Sequence, residues 1–247
     1  GLSAIKNFTT QAIQDYKTFE EKSKNLTALT GLQGDDIAYL EKKARDLAAT
    51  ATDTAAEVID AFTLMGSAKP ELLKDKEALA ETTEAALTLA AAAKMDAKTS
   101  VESLAAAMNQ FGAPAAEADR YINALAAGSQ AGSAGVDSIA KSIVKFGATA
   151  AANLSVEESV GLIETLAEKG LQGEVAGTKL NGVLLNLQTA ANQKFNPAVV
   201  GMQQALDNLA AANLSTAEKV QLFGKGNIVA GEILIQNRES FARLKEA

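Results

Sequence analysis

The sequence contains no cysteine and no histidine, and these two absences remove much of the chemistry open to a protein of 247 residues. Without cysteine, the chain can form neither disulfides nor thiolate metal sites. Without histidine, it lacks the side chain that most often transfers protons near neutral pH and most often binds a transition metal. We therefore assign no catalytic, cofactor-binding or metal-binding residue, and we expect no cofactor.

Aromatic residues and proline are also scarce. Only 4% of the residues are aromatic, tryptophan is absent and there are three prolines, yet hydrophobic residues make up 47% of the chain. The core must therefore consist mainly of alanine and aliphatic side chains, which let helices approach one another closely. Alternating β-branched runs bounded by turn residues, which would predict strands, are not evident. The composition predicts an all-α fold.

Net charge and hydropathy exclude two further classes of protein. The formal charge of -7 and the isoelectric point of about 4.8 argue against a broad basic surface for nucleic acid. The longest apolar run, residues 85–93, is much shorter than the roughly 20 residues that a membrane-spanning helix needs. We expect a water-soluble chain.

The first 30 residues form a region of their own. Apolar or small residues recur there at helical spacing, with Lys and Glu opposite. These positions are Ile5, Phe8, Ala12, Tyr16, Phe19, Ser23 and Leu26. Two interpretations stay open: the helix folds onto the rest of the protein, or it is the end of a longer coiled coil. We divide the chain into an amphipathic helix, residues 1–30, and a compact helical module, residues 31–247.

The remainder of the chain contains repeated signals for helix starts and ends. Four segments match the capping box, in which Ser or Thr begins a helix and a Glu three residues later bonds back to it. They are Thr54/Glu57, Thr99/Glu102, Ser155/Glu158 and Ser215/Glu218. Pro114 and Pro197, the latter with Asn196 as its cap, fit the first turns of two more helices.

Glycines follow the apolar stripes and predict where those helices end. They are Gly66, Gly112, Gly147, Gly170 and Gly224. Together, the start and end signals predict about ten to twelve short helices packed as successive antiparallel hairpins, preceded by a longer N-terminal helix.

Two patterns resemble catalytic or ligand-binding motifs. The segment GEVAGTK, residues 173–179, differs from a phosphate-binding loop in glycine spacing and in its Thr-Lys order, so we interpret it as a tight turn in which Gly177 lets two helices pack closely. Ser-x-x-Lys, as in serine acylases, occurs without the other motifs of that class. Its three occurrences are Ser3/Lys6, Ser138/Lys141 and Ser142/Lys145.

Acidic residues do not predict a glycosidase either. Such an enzyme needs one carboxyl group desolvated enough to stay protonated, and we identify no acidic residue inside an apolar run. The Gly/Ser segment GSQAGS, residues 128–133, is typical of a flexible connection. The suggestive polar residues are better explained as helix boundaries than as chemistry.

One long segment resembles a known family. In LIETLAEKGLQGEVAGTKLNGVLLNLQ, residues 162–188, a Leu-Ala-x-x-Gly turn leads into Gly-x-x-Ala-Gly-Thr and a leucine-rich helix, as in phage tail tape-measure proteins. Other segments agree in order: EVIDAFTLMGSAKPELL from Glu57, LTLAAAAKMD from Leu87, AMNQFG from Ala107, SIVKFG from Ser142 and LFGKGNIVAGEILI from Leu222. Glu174 departs from the pattern, since relatives often carry a small or polar residue there.

The resemblance implies a structural virion protein rather than an enzyme. Such a protein is made in the bacterial cytoplasm, lies in the tail tube, sets tail length during assembly and leaves the tail ahead of or with the DNA. Its expected partners are tail-tube and tail-assembly proteins, including assembly chaperones, with contact to DNA during ejection, and a further copy of the chain through the N-terminal helix. No small-molecule substrate is expected. The resemblance also implies that the chain is a fragment of a longer protein.

Two alternatives from other classes stay open. One is a tail-associated cell-wall hydrolase domain, and the other is a helical adaptor that binds through the N-terminal helix or residues 128–133. Within the tape-measure interpretation, one continuous helix of this length would span roughly 370 Å at 1.5 Å per residue. The caps and glycines predict a chain that folds back on itself, so we expect a compact module and not the ruler itself.

Overall fold

The computed structural model of the protein describes residues 2–50 and 53–246, with side chains from residue 10 onward. Over these residues it contains fourteen α-helices and three short 3-10 helices, and no strand. The all-α prediction is confirmed.

The helices vary from four to 29 residues in length. In chain order they are α1 (Leu2–Thr30), α2 (Asp35–Ala48), α3 (Ala55–Ala68), α4 (Lys76–Ala93), α5 (Ala97–Phe111), α6 (Ala118–Ala131), α7 (Val136–Ala150), α8 (Val156–Ala167), α9 (Gly173–Gln188), α10 (Pro197–Val200), α11 (Met202–Ala211), α12 (Thr216–Phe223), α13 (Ile228–Gln236) and α14 (Arg238–Leu244). The 3-10 helices are Pro70–Lys74, Ala115–Glu117 and Gln193–Phe195.

The described helices outnumber the ten to twelve that were predicted. The difference arises after residue 188, where short breaks divide the chain more finely than the apolar stripes indicate. Gly201, with φ of +82°, separates the four-residue α10 from α11. Asn237 separates α13 from the seven-residue α14. Where the apolar residues keep their helical spacing across such a break, the spacing does not predict that the helix ends there.

Three of the four predicted capping boxes are confirmed. The Thr54, Ser155 and Ser215 side chains each accept a hydrogen bond from the backbone N–H three residues on, and the Glu at that position bonds back to the cap. The prediction at Thr99 is wrong. Helix α5 begins at Ala97, and Asp96 accepts the Thr99 N–H at 2.9 Å. An acidic cap three residues earlier therefore takes the place assigned to Thr99.

Proline positions follow the prediction in one case. Pro197 occupies the first turn of α10, and Asn196 caps it by accepting the Ala198 N–H at 2.9 Å. Pro114 instead precedes the 3-10 helix Ala115–Glu117, which leads directly into α6.

Glycines predicted to end helices fall into two groups. Gly112, Gly170 and Gly224 have positive φ and lie just beyond helices, as predicted. Gly66 and Gly147 lie inside α3 and α7, so those two predictions are wrong. A Cβ on Gly147 would lie 2.7 Å from Cβ of Gln110, which shows that this glycine permits a close contact and does not end a helix.

Contacts between residues divide the chain into two compact units. The N-terminal unit comprises residues 1–90 and 95–105, and the C-terminal unit comprises residues 91–94 and 106–247. Each has its own aromatic core residues: Phe62 is fully buried in the N-terminal unit, and Phe146, Phe223 and Phe241 are buried in the C-terminal unit.

In the N-terminal unit, α1 packs extensively on α3, two helices away in the chain. Contacts between them follow the same order in both helices. Lys22 pairs with Asp60 at 2.8 Å, and Thr30 lies beside Gly66. The two helices therefore run parallel, with α2 returning the chain between them.

In the C-terminal unit, two pairs of helices likewise run parallel with one helix between them in the chain. Helices α6 and α8 meet at Arg120 with Glu157 and again, further along both helices, at Gly128 with Val160. Helices α7 and α9 form the most extensive contact, which runs in order along both helices from their first turns. In α1–α3 and in α6–α9, chain direction thus alternates between successive helices, as predicted for hairpins, while the close packing joins helix i to helix i+2.

Candidate functional site

The strongest candidate site is a buried carboxylate in α8. Glu164 has no exposed surface, although a charged side chain is rarely buried without a partner. Its neighbours in the sequence, Ile163 and Thr165, are fully buried as well. Our expectation that no acidic residue lies in an apolar run is therefore wrong, because Glu164 interrupts the apolar segment 162–167.

One oxygen of Glu164 joins α8 to the segment between α6 and α7. Its Oε2 accepts the backbone N–H of Ser133 at 2.6 Å and that of Ala134 at 2.9 Å. Its Oε1 has no hydrogen-bond partner in the part of the chain that the structure describes. A Cβ on Gly132 would lie 1.9 Å from Oε2, so a glycine is required where the carboxylate meets the end of α6.

Burial raises the pKa of Glu164 above its ordinary value, because desolvation penalises the charged form. The backbone amides of Ala134 and Ser133 act in the opposite direction, and the nearby carboxylate of Glu168 raises the pKa further. Glu168 is itself paired with Arg243 of α14 at 2.9 Å. The enclosed carboxyl group of Glu164 has no exposed surface through which to meet a substrate, so its observed role is to hold backbone.

The Gly/Ser segment at residues 128–133 is consequently more ordered than a flexible connection. Its first four residues form the last turn of α6, in which Gly128 allows a close approach to Val160 of α8. Its last residue, Ser133, donates its N–H to Glu164, while its carbonyl accepts a hydrogen bond from the Gln172 side chain at 3.2 Å.

The segment at residues 173–179 forms the first two turns of α9 and is not a separate turn. The predicted role of Gly177 is confirmed, because a Cβ there would lie 2.3 Å from the backbone oxygen of Ser142. Glu174, which departs from the tape-measure pattern, pairs with Lys145 of α7 at 3.1 Å. The departure therefore adds a surface ion pair between the two helices.

The serines of the Ser-x-x-Lys patterns hold the start of α9. Ser138 Oγ accepts the N–H of Gly173 at 3.0 Å, and Ser142 Oγ donates to the Gly173 carbonyl at 2.7 Å. Lys141, the lysine of the first pair, bonds instead to Asp137 at 2.6 Å. These serines are therefore engaged in helix packing rather than with lysines. Ser3 and Lys6 lie outside the described side chains.

Burial of the α1 stripe changes along the helix. Leu26 and Ser23 are buried, whereas Tyr16 is 64% exposed and Ala12 is also exposed. Ile5 and Phe8 lie outside the described side chains. The later part of α1 thus folds onto the N-terminal unit, and residues 10–17 present an exposed face.

A groove of about 520 Å³ on the N-terminal unit is lined by several carboxylates. Most of them already have structural roles: Glu57 caps α3, Asp96 caps α5 and Asp60 pairs with Lys22. Among the described residues, no group of three or more acidic side chains is arranged to hold a metal ion.

No helix in the described ranges combines the length and apolar character needed to cross a membrane.

Comparison with known proteins identifies one family and one relative. The family model described as phage-related minor tail protein matches residues 41–247. A tape measure protein of Pneumococcus phage Dp-1 is 24% identical over 245 residues, covering 98% of this chain and 19% of that protein. The chain thus spans about a fifth of the length of this relative. No solved structure matches.

The predicted resemblance to phage tail tape-measure proteins is confirmed by both the family model and the relative. The polar motifs of the sequence, where the structure describes them, begin helices or join them. The chain therefore belongs to the phage-related minor tail protein family, and its role is that of a structural protein of the phage tail.

Proposed function

We propose that this chain is a folded segment of a tape-measure protein in the virion tail, which takes part in tail assembly and DNA ejection while other parts of the parent protein set the tail length. The family match, and a relative named as a tape measure protein that is about five times longer, support this assignment. The observation that carries the proposal is the repeated reversal of chain direction.

That reversal limits how much tail length the segment can account for. Stretched as one helix, 247 residues would cover roughly 370 Å at 1.5 Å per residue. The longest described helix, α1, has 29 residues and would cover only about 44 Å on the same basis. Buried glycines and hydrogen bonds between helices, as at Gly177 and Ser142, favour the folded-back form.

Tail length in phage particles tests the proposal. A second copy of this segment is inserted in frame into the parent gene, and tails are measured by electron microscopy. We expect tails whose length differs from wild type by far less than 370 Å. A matched insertion of an uninterrupted heptad-repeat helix of the same residue number serves as the control and should lengthen the tail. If the duplicated segment adds about 370 Å, it belongs to the ruler.

We further propose that the segment acts without catalysis. The described serines with lysines at catalytic spacing hold α9, and the glutamate that is fully buried among the described residues, Glu164, is enclosed and bound to backbone. Peptidoglycan zymography of the full chain is the test, with a known cell-wall hydrolase as the positive control. A cleared band at the mass of the chain would identify a hydrolase and contradict the proposal.

The exposed part of α1 is the surface to which we assign contact between copies of the chain. Ile13 is 53% exposed and Tyr16 64% exposed on a helix whose later turns are packed. The division into a helix at residues 1–30 and a module at 31–247 remains part of this proposal. Analytical ultracentrifugation should show a concentration-dependent oligomer that Ile13→Glu disrupts and the neighbouring control Gln14→Glu does not. A wild-type chain that stays monomeric at high concentration would contradict it.

Contact with DNA during ejection, and with tail-tube proteins and assembly chaperones, is also part of the proposal. We assign the DNA contact to the C-terminal unit, whose 12 basic residues nearly balance its 13 acidic residues. The N-terminal unit carries 17 acidic and 11 basic residues, which disfavours approach to phosphates. Crosslinking in particles stopped during ejection should therefore join DNA to lysines of the C-terminal unit, and crosslinks confined to the other unit would contradict this.

A further inference from the structure

We propose that Glu164 is a pH-sensitive latch that holds the α6–α7 link on α8 and lets this link open locally as pH rises, before α7 separates from α9. The inference concerns the fold itself and does not depend on the role of the chain in the tail. It rests on the geometry around one buried side chain.

The link is held at very few points. Residues 132–135 connect α6 to α7, and the carboxylate of Glu164 binds two consecutive amides of this link through a single oxygen. The ends of the link bond to their own helices, Gly132 to the Gly128 carbonyl and Gly135 to the Ile139 N–H, and the Gln172 side chain donates to the Ser133 carbonyl in the middle. Losing the bonds to Glu164 would therefore release the middle of the link from α8.

Opening would also relieve a cost of the closed state. Glu164 is fully buried, and its Oε1 has no partner in the described part of the chain. A buried polar atom without a hydrogen bond is unfavourable, and the penalty is greater when the group is charged. Water would reach this oxygen once the link lifts away from α8.

The contacts between α6 and α8 near Glu164 differ from the contacts between α7 and α9. Next to the link, Gly128 and Gly132 meet Val160 and Glu164 of α8 without a side chain of their own, whereas the Arg120–Glu157 pair lies at the other end of α6. At the start of α9, by contrast, Ser138 of α7 accepts the Gly173 N–H and Ser142 of α7 donates to the Gly173 carbonyl. Opening at Glu164 should consequently leave α7 and α9 together.

The charged groups on the packed elements do not enter this site. Besides Glu164, helices α6, α7, α8, α9, α13 and α14 and the residues directly after α8 and α14 carry the charged residues Asp119, Arg120, Asp137, Lys141, Lys145, Glu157, Glu158, Glu168, Lys169, Glu174, Lys179, Glu232, Arg238, Glu239, Arg243, Lys245 and Glu246. All of them are at least partly exposed. Among them, Glu168 acts on Glu164 through its charge, and residues 132–135 of the link are uncharged.

The direction of the pH effect follows from burial. The pKa of Glu164 is raised in the closed state, whereas a hydrated carboxyl in the open state returns towards 4.5. Because the open state loses its proton first, rising pH above about 4.5 favours opening until the closed state is ionised too. The stabilisation from Glu164 is therefore complete at acid pH and is lost as pH rises through its closed-state pKa.

Hydrogen exchange of the full chain from pH 4 to pH 8 tests the latch, after correction for the intrinsic exchange rate. We expect protection of the Ser133 and Ala134 amides to fall with rising pH, by at most about tenfold per pH unit. Glu164→Gln should remove this dependence, leaving less than a twofold change. The control Glu168→Gln, one turn away, should keep it, and the Gly173 amide should not follow the same pH profile. Equal slopes in wild type and Glu164→Gln would overturn the proposal.

A second measurement needs no variant. The carboxyl carbon of Glu164 is followed by NMR in the wild-type chain over the same pH range. A midpoint above 4.5 that coincides with the change in amide protection supports the latch. A midpoint at or below 4.5 overturns it, whatever the stability of Glu164→Gln.

Discussion

The two units connect their helices in different ways. In the N-terminal unit, ion pairs join separate helices at the surface, as between Lys22 and Asp60 or Lys43 and Glu84. The C-terminal unit has such ion pairs as well, as between Arg120 and Glu157 or Lys145 and Glu174, but its helices are also joined by hydrogen bonds to backbone or to polar side chains, as from Ser142 to the Gly173 carbonyl. Fixed backbone geometry specifies one register, whereas flexible charged side chains accommodate several.

Buried hydroxyl groups are satisfied within their own helices in both units, as Ser159 and Thr165 of the C-terminal unit are. Thr63 and Thr83 of the N-terminal unit donate to the carbonyl four residues earlier in their own helices, at 3.0 and 2.7 Å. An exception is Ser100, which donates from α5 to the Ala86 carbonyl of α4 at 2.6 Å. Helices whose polar groups are satisfied internally can separate without leaving those groups unpaired. The hydroxyl groups that oppose separation are those that bond across helices, as Ser142 and Thr149 do in the C-terminal unit.

The largest expected effect comes from adding one methyl group at the α7–α9 contact. Gly177→Ala places Cβ against backbone, which cannot move aside as a side chain can, so we expect a loss of about 2–3 kcal/mol in the free energy of unfolding. Gly66→Ala in the N-terminal unit meets the end of the Leu73 side chain and gains helix propensity, so its cost should stay below about 1 kcal/mol.

Urea unfolding followed by circular dichroism measures both changes. Gly226→Ala is the control, since nothing lies within 4 Å of its Cβ position. Equal losses for Gly177→Ala and Gly66→Ala would show that the two units are packed alike.

Removing a helix cap should cost the same free energy of unfolding in both units. Any difference in stability between the units would then come from the contacts between helices. We expect Asp96→Ala in the N-terminal unit and Ser155→Ala in the C-terminal unit each to cost about 1 kcal/mol, because each leaves a helix N–H without its acceptor. Thr99→Ala should cost less than about 0.5 kcal/mol, since Thr99 lies inside α5. Thermal unfolding of the three variants gives the order. A greater loss for Thr99→Ala than for Asp96→Ala would contradict the assigned cap.

Acid should weaken one ion pair of the C-terminal unit. Arg120, bonded to Glu157 at 2.6 Å, lowers the pKa of that carboxyl to about 2. The stabilisation is present above the unfolded-state pKa of about 4.5 and is lost as pH falls towards 2. Because the side chains are partly exposed, we expect at most about 1 kcal/mol. Urea midpoints of wild type and Glu157→Gln, measured from pH 6 to pH 2, should converge, and curves that stay parallel would refute the pairing.

Salt should have the smallest effect, and it should be seen at the ion pairs of the N-terminal unit. A double-mutant cycle of Lys43→Met and Glu84→Gln should give a coupling energy of about 0.5 kcal/mol at low salt, which falls towards zero at about 1 M salt. The Thr149–Asn181 hydrogen bond of 2.6 Å in the C-terminal unit is the matched comparison. Its coupling, from Thr149→Val and Asn181→Ala, should not respond to salt. Equal salt dependence in both cycles would remove the distinction between the units.

Features that depend on a few neighbouring residues could be predicted from the sequence. The cap at Ser155 and its Glu158 lie three residues apart, so the sequence contains the whole interaction. At Thr99 the same rule failed because Asp96, an equally good cap, comes three residues earlier. Local competition of this kind is visible in the sequence, although the prediction did not weigh it.

Features that depend on distant neighbours could not be predicted in this way. Gly112 ends a helix and Gly147 permits a contact within one, yet both follow similar apolar stripes. Glu164 binds amides about 30 residues away, and this partner leaves no sign in the sequence around it. The available signal was the single acidic residue within the apolar segment 162–167, which marks either a functional acid or a buried anchor.

The alternating direction of the helices has a consequence for how such a segment can change size during evolution. Within α6–α9, an added pair of helices restores the original direction of the chain, so the elements that follow keep their orientation. An added single helix would reverse the chain direction of the helices that follow it. Related segments of different length should therefore vary by even numbers of helices, and their joins should fall at the short turns.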